Sequence, residues 1–122
     1  MPTVRYFVGD VDVSLAFYEL LGFSLVERWG PPFAIVEKDG LQLWLSGPGT
    51  SAAKPMPDGR VPVPGGWNRI VISTNSFETT FDNLKGHGAV FRNEPLKGPG
   101  GTQVLLDDPD GNPIELFEPR DS

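Results

Sequence analysis

The stretch Val11-Asp12-Val13-Ser14-Leu15-Ala16-Phe17-Tyr18-Glu19-Leu20-Leu21-Gly22 decides the fold, because its spacing returns later in the chain. Val11, Leu15 and Tyr18 stand at i, i+4 and i+7, the period of one helical face, and Gly22 ends the segment. Phe77, Phe81 and Leu84 repeat that spacing before Gly88, so four matched pairs share one offset of 66 (77−11, 81−15, 84−18, 88−22). Unrelated amphipathic helices rarely keep a common offset at four positions, and the chain therefore reads as two copies of one unit. Asp10 or Asp12 is placed to cap the first helix, and Asn75 with Glu78 three residues later reads as a capping box for the second.

Working outward, a strand-like run precedes each helix, Thr3 to Val8 and Arg69 to Thr74, and three shorter runs follow it. Lys38-Asp39-Gly40 stands before Leu41-Gln42-Leu43-Trp44-Leu45, and Pro109-Asp110-Gly111 before Ile114-Glu115-Leu116-Phe117, at an offset of 71 (111−40). Asp-Gly tolerates the left-handed backbone of a tight hairpin, so each half is expected to be βαβββ and the fold class α+β. The expected organisation is one domain, with a first module over 1–46, a connecting loop over 47–66 and a second module over 67–119. Pro48, Pro55, Pro57, Pro62 and Pro64 fall in that loop, which shows neither helical nor strand period. It is either a functional lid or a disordered segment.

Alternate strand residues face opposite sides of a sheet, so the strands beside the helices are sorted by parity. Val4, Tyr6, Val8, Leu41, Leu43, Leu45, Ile70, Ile72, Ile114 and Leu116 form an apolar set expected to pack under the helices. The opposite parity holds Thr3, Arg5, Phe7, Gln42, Trp44, Arg69, Val71, Ser73, Glu115 and Phe117. Aromatic, charged and small polar groups mixed in this way suit a ligand cleft; the competing reading is a face covered by a partner chain.

At 122 residues the chain has one domain's length, and its apolar runs are too short for a membrane span or a secretory leader. A cytoplasmic location is the default expectation. The chain has no cysteine, which excludes disulfides and thiolate metal sites, and one histidine, His87. A formal charge of −6 with scattered Lys and Arg argues against a nucleic-acid surface. The same acidity suits a cationic ligand, or simply keeps the protein soluble.

The first-helix stretch, with Phe17-Tyr18 ahead of Leu21-Gly22-Phe23, resembles the helix signature of the glyoxalase/bleomycin-resistance/dioxygenase (vicinal oxygen chelate) superfamily. Gly98-Pro99-Gly100-Gly101 followed by Asp108-Pro109-Asp110-Gly111-Asn112-Pro113-Ile114-Glu115-Leu116 is similar to its second-half signature. The resemblance implies two βαβββ modules, each a curved mixed sheet contributing half a barrel to a cleft. It further implies a homodimer, with modules pairing either within one chain or between two. Metal-dependent members place one ligand on the first and one on the last strand of each module. Those positions carry Thr3 and Trp44, then Arg69 and Glu115, where the family's enzymes carry His, Gln or Glu. Glu115 alone is a good donor, and Arg69 opposes a cation. No metal and no other cofactor is therefore expected, and His87, in a helix-ending Lys85-Gly86-His87-Gly88, reads as a partner of the helix dipole. Arg69 and Glu115 are expected to form an ion pair whose loss from a dry site costs about 3 kcal/mol.

Without ligands the Lewis-acid chemistry of the family's enzymes has no support, and the resemblance points instead to its metal-free drug-binding members. The expected ligand-binding set is Arg5, Phe7, Gln42, Trp44, Arg69, Glu115, Phe117 and Trp67, with Trp29 also near the rim. Stacking on Trp44 and attraction to Glu115 favour an aromatic or cationic small molecule, with neither nucleic acid nor membrane as partner. Two alternatives stand beside this. One is a lyase, isomerase or dioxygenase-type enzyme in which Arg69 anchors an anionic substrate and Glu115 serves as acid/base or residual metal ligand. The other is an interaction module whose mixed face is closed by another chain.

Overall fold

The computed structural model describes residues 2–120, and the chain divides between Gly65 and Gly66 into two units. The first contains β1 (Thr3–Phe7), α1 (Val11–Leu20), β2 (Ser24–Trp29), β3 (Phe33–Lys38) and β4 (Leu41–Ser46), in sheet order β1-β4-β3-β2. Strand β1 runs parallel to β4, and the other pairs are antiparallel. The second contains β5 (Ile70–Ser73), α2 (Phe77–Gly86), β6 (Val90–Phe91), β7 (Leu96–Gly98), β8 (Gly101–Asp107) and β9 (Pro113–Pro119). Its order is β5-β9-β8-β6, with β7 also on β8. Here the expected βαβββ order carries one change: the edge strand is broken into β6 and β7, and Asn93 bridges the gap by accepting from the Leu105 amide (2.9 Å).

The two helices occupy the same stretch of their units, each ten residues long and 66 positions apart. Both end alike. The Phe23 amide donates to Tyr18 and the Ala89 amide to Leu84, each at 3.0 Å, around Gly22 (φ 95°) and Gly88 (φ 83°). They start differently. Asp10 caps α1, its Oδ1 accepting from the Asp12 and Val13 amides at 2.9 and 3.3 Å. The Asn75–Glu78 capping box does not form: Ser76 is the cap residue, without a side-chain bond, and Asn75 Oδ1 accepts from the Ser76 hydroxyl. The Phe77 amide is met instead by Glu118 Oε1 of β9 at 2.9 Å, so tertiary structure supplies the missing cap.

Under each helix the apolar parity set is the core. In the first unit Leu43, Leu45, Ala34 and Val36 are buried beneath α1, and the fully buried Tyr18 meets Phe17 and Phe23 edge-on at 5.2 and 5.6 Å. In the second, Ile72, Val104, Leu106, Ile114 and Leu116 are buried together with Phe77 and Leu84 of α2. Val4, Tyr6 and Leu41, expected in the core, are only half-buried, because β1 is an edge strand and Leu41 follows the turn.

Asp39 (φ 50°) and Gly40 (φ 83°) make the expected two-residue turn between β3 and β4. The β8–β9 turn is built differently, around the buried pair Asp108 and Asn112: Asp108 Oδ1 accepts from the Asp110 and Asn112 amides, and its Oδ2 from the Asn112 side chain. Strand registers account for the growth of the repeat offset from 66 to 71. One residue is added at the β6–β7 break, three in the longer β7–β8 hairpin and one in the β8–β9 turn.

The connecting segment is tied back to the first unit at its start, where the Gly47 amide donates to Pro32 (2.7 Å) and a short 3-10 turn spans Ser51–Ala53. Its far end is held by Arg92, just after β6. The Arg92 guanidinium pairs with Asp107, donates to the Gly66 and Gly111 carbonyls at 3.0 Å each, and lies 4.6 Å from the centre of the Trp67 ring.

Three substitutions test these devices. A Cβ at Gly101 (φ 147°) would collide with the Glu118 carbonyl oxygen, whereas one at Gly100 meets nothing within 4 Å. Gly101→Ala should therefore lose about 2 kcal/mol in urea unfolding, and Gly100→Ala under about 0.5 kcal/mol. Arg92→Ala removes an ion pair of limited exposure and two carbonyl bonds, and should lose about 2 kcal/mol in the same measurement.

Candidate functional site

With one face of each sheet buried under a helix, the opposite face carries the candidate site residues. In the first unit the register sets them in three rows across the strands. Thr3, Gln42 and Glu37 form one; Arg5, Trp44, Ile35 and Glu27 the next; Phe7, Ser46, Phe33 and Trp29 the third. A bulge between Leu25 and Glu27 brings Glu27 and Trp29 into this alternation.

Three aromatic rings run across these rows. Trp29 meets Phe33 at 6.3 Å between centroids and Phe33 meets Trp44 at 6.0 Å, both edge-to-face. The Arg5 guanidinium sits 5.0 Å from the centre of the Trp44 ring, and its Nη1 donates to Ser46 Oγ at 3.0 Å. Trp44 Nε1 donates to Gln42 Oε1, and Gln42 Nε2 to Glu37 Oε1, each at 3.4 Å. At the other end Trp29, 65% exposed, donates from Nε1 to Glu27 Oε2 at 3.0 Å. Arg5, Phe7, Gln42 and Trp44 are thus gathered on one face, as the sequence predicts. Phe33 was not in the predicted set, and it links the two tryptophans. Its parity marks it equally well, but only once β3 is sorted alongside the strands that flank the helices.

In the second unit Val71, Glu115 and Leu105 form one row and Ser73, Phe117, Gln103 and Leu96 the next. Arg69 precedes β5 and reaches diagonally to Glu115, Nε to Oε1 at 3.0 Å. Thr3 stands in the same diagonal relation to Trp44. The four positions that read Arg5, Trp44, Phe33 and Trp29 in the first unit read Val71, Glu115, Gln103 and Leu96 in the second. Trp67, 72% exposed, is held by Arg92 rather than by these rows. His87 closes α2, with Nδ1 2.8 Å from the Asn83 carbonyl, so that end of its ring is engaged at the helix terminus.

The donor set does not fit a divalent metal of the kind the family's enzymes use. Thr3 offers a neutral hydroxyl, Trp44 an N–H that is a donor only, and Arg69 a cation that occupies Glu115. Among the described residues no three His, Cys, Asp or Glu side chains stand close enough to hold an ion. The groups expected to hold a cationic ligand are also engaged: Trp44 has Arg5 against its ring and Glu115 has Arg69.

The Arg69–Glu115 pair forms as expected, but its environment is not dry. Glu115 is 12% exposed at its side chain and Arg69 36%, so water screens the arginine. Arg69→Ala should consequently cost about 1 kcal/mol in urea unfolding instead of the roughly 3 kcal/mol of a fully buried pair.

The comparisons agree with this geometry. No curated protein sequence matches the chain. Among solved structures, a superfamily member from Sphaerobacter thermophilus DSM 20745 is 29% identical with a TM-score of 0.74, over 97% of this chain and 95% of that one. TnmS3, an antibiotic-binding protein from Streptomyces sp. CB03234, is 25% identical with a TM-score of 0.73, over 98% and 95%. A lactoylglutathione lyase from Agrobacterium tumefaciens shares the fold at 17% identity and a TM-score of 0.73, over 97% and 92%. The family model for the Glyoxalase/Bleomycin resistance protein/Dioxygenase superfamily matches residues 1–116, and with the two helix-backed mixed sheets already described, the chain belongs to that superfamily.

Proposed function

We propose that the protein binds a flat aromatic small molecule, without a metal, on the open face of its first sheet. The observation that carries this reading is the Trp29–Phe33–Trp44 cluster. It places three rings on the side of the sheet away from α1, beside a few polar groups, the mixture that lines small-molecule sites. Rings at this spacing offer edges and faces to a planar ligand at low entropic cost, since each has only two side-chain torsions to fix. The likeness to an antibiotic-binding protein at 25% identity supports the same reading, with sequestration of an aromatic natural product as the biological form of the activity.

An enzyme built on Arg69 and Glu115 is supported less well. Glu115 accepts a charge-assisted bond from Arg69, and acting as a proton carrier would require release from it. The two residues explain each other as a structural pair.

Tryptophan fluorescence titration with a panel of planar aromatic compounds tests the proposal. Saturable quenching should be the same in EDTA and in added magnesium or zinc. Trp44→Ala should weaken binding about tenfold, equivalent to about 1.4 kcal/mol of lost stacking. Binding that requires a divalent ion, or that ignores the loss of Trp44, would overturn the reading.

A further inference from the structure

Of the six arginines, Arg5 and Arg120 are in no ion pair among the described residues, and of these two only Arg5 lies on the face of a sheet opposite its helix. Arg28, Arg60, Arg69 and Arg92 each pair with a carboxylate, namely Asp12, Asp58, Glu115 and Asp107. Arg5 has no ion pair among the described residues. Its two contacts are the Trp44 ring and the Ser46 hydroxyl, which hold the guanidinium in place and leave its charge uncompensated. An arginine carries five N–H donors, and one of them is used on Ser46. Because Trp44 and Ser46 already restrict the side chain, a further bond costs little additional ordering.

We propose that Arg5 anchors an acidic group of the ligand, so that the molecule held on the Trp29–Phe33–Trp44 cluster is a planar aromatic acid carrying carboxylate, sulfonate or an ionised phenol. This deepens the proposed function and rests on it. The polarity of the face supports the assignment. Arg5 lies on β1 at one edge of the sheet and Glu27 on β2 at the other, with Trp44 and Ile35 between them in the same row. Three strand spacings separate the edges, about 14 Å, the length of three to four fused rings. Glu27 is tied to Trp29, and Glu37 accepts from Gln42 in the neighbouring row. An acid at the β2 edge would face Glu27, whereas at β1 it meets the unpaired guanidinium. The ligand's acidic end is therefore directed to β1. Arginine against an aromatic ring is also a surface on which a conjugated acid binds in two ways at once, by charge-assisted hydrogen bonds and by stacking beside Trp44.

The test uses three matched probes in isothermal titration calorimetry: anthraquinone-2-carboxylate, the neutral 2-carboxamide, and a cationic 2-(trimethylammoniomethyl) analogue. The acid should bind about tenfold more tightly than the amide, and its advantage should shrink as salt is raised. Arg5→Gln should abolish that advantage, so that the acid and the amide bind the variant with equal affinity. Arg5→Lys, which keeps the charge and loses the planar fork, should retain part of it, and Arg120→Gln should retain all of it. Near-UV circular dichroism checks that each variant is folded. Equal affinity for acid and amide, tighter binding of the cation, or an acid preference that survives Arg5→Gln would overturn the anchor while leaving an aromatic-binding protein standing. Failure of all three probes to bind would overturn both.

Discussion

Burial of one sheet face beneath one helix is the constraint on which the rest of each unit depends. Tyr18 in α1 and Leu84 in α2 are fully buried at matching positions, and the strands beneath them present Leu43 and Leu45, or Ile114 and Leu116, at zero exposure. A strand has a side-chain period of two, so a slip of one residue would turn these groups out and bring Trp44 or Glu115 in. The apolar set therefore holds the register, and register in turn decides which side chains share the opposite face.

That opposite face shows how two copies of one unit diverge without disturbing their scaffold. Replacing the Arg5-Trp44-Phe33-Trp29 constellation by Val71-Glu115-Gln103-Leu96 changes nothing that touches a helix, because all four positions point away from it. The first sheet becomes an aromatic surface with one cation. The second becomes a surface closed by the Arg69–Glu115 pair. No helix among the described residues is long and apolar enough to cross a membrane, consistent with helices that each bury only one face.

Much of this was legible along the chain. The 66-residue offset located both helices, the Asp39-Gly40 pair located its hairpin, and parity separated the core from the opposite face, because period and turn chemistry are local properties of a few neighbouring residues. The Arg69–Glu115 contact was legible too, through the family resemblance, which sets the two residues at converging positions on the first and last strands of one unit. Phe33 was overlooked because β3 does not flank a helix, and its alternation acquires meaning only when its partner β4 is known. The β6–β7 break was likewise invisible, being set by the way Asn93 reaches the Leu105 amide twelve positions away.

The sequence by itself determined where the elements lie and which side of each strand is apolar, because these follow from residue type and short-range spacing. Only the tertiary structure decided that Glu118 caps α2, that Arg92 holds the chain at Trp67, and that Arg5 lies against Trp44. The last contact joins residues 39 positions apart (44−5) through the parallel pairing of β1 with β4. That pairing closes over a helix and a hairpin, and such long-range register is set by the burial of the whole sheet, which no local stretch of sequence specifies.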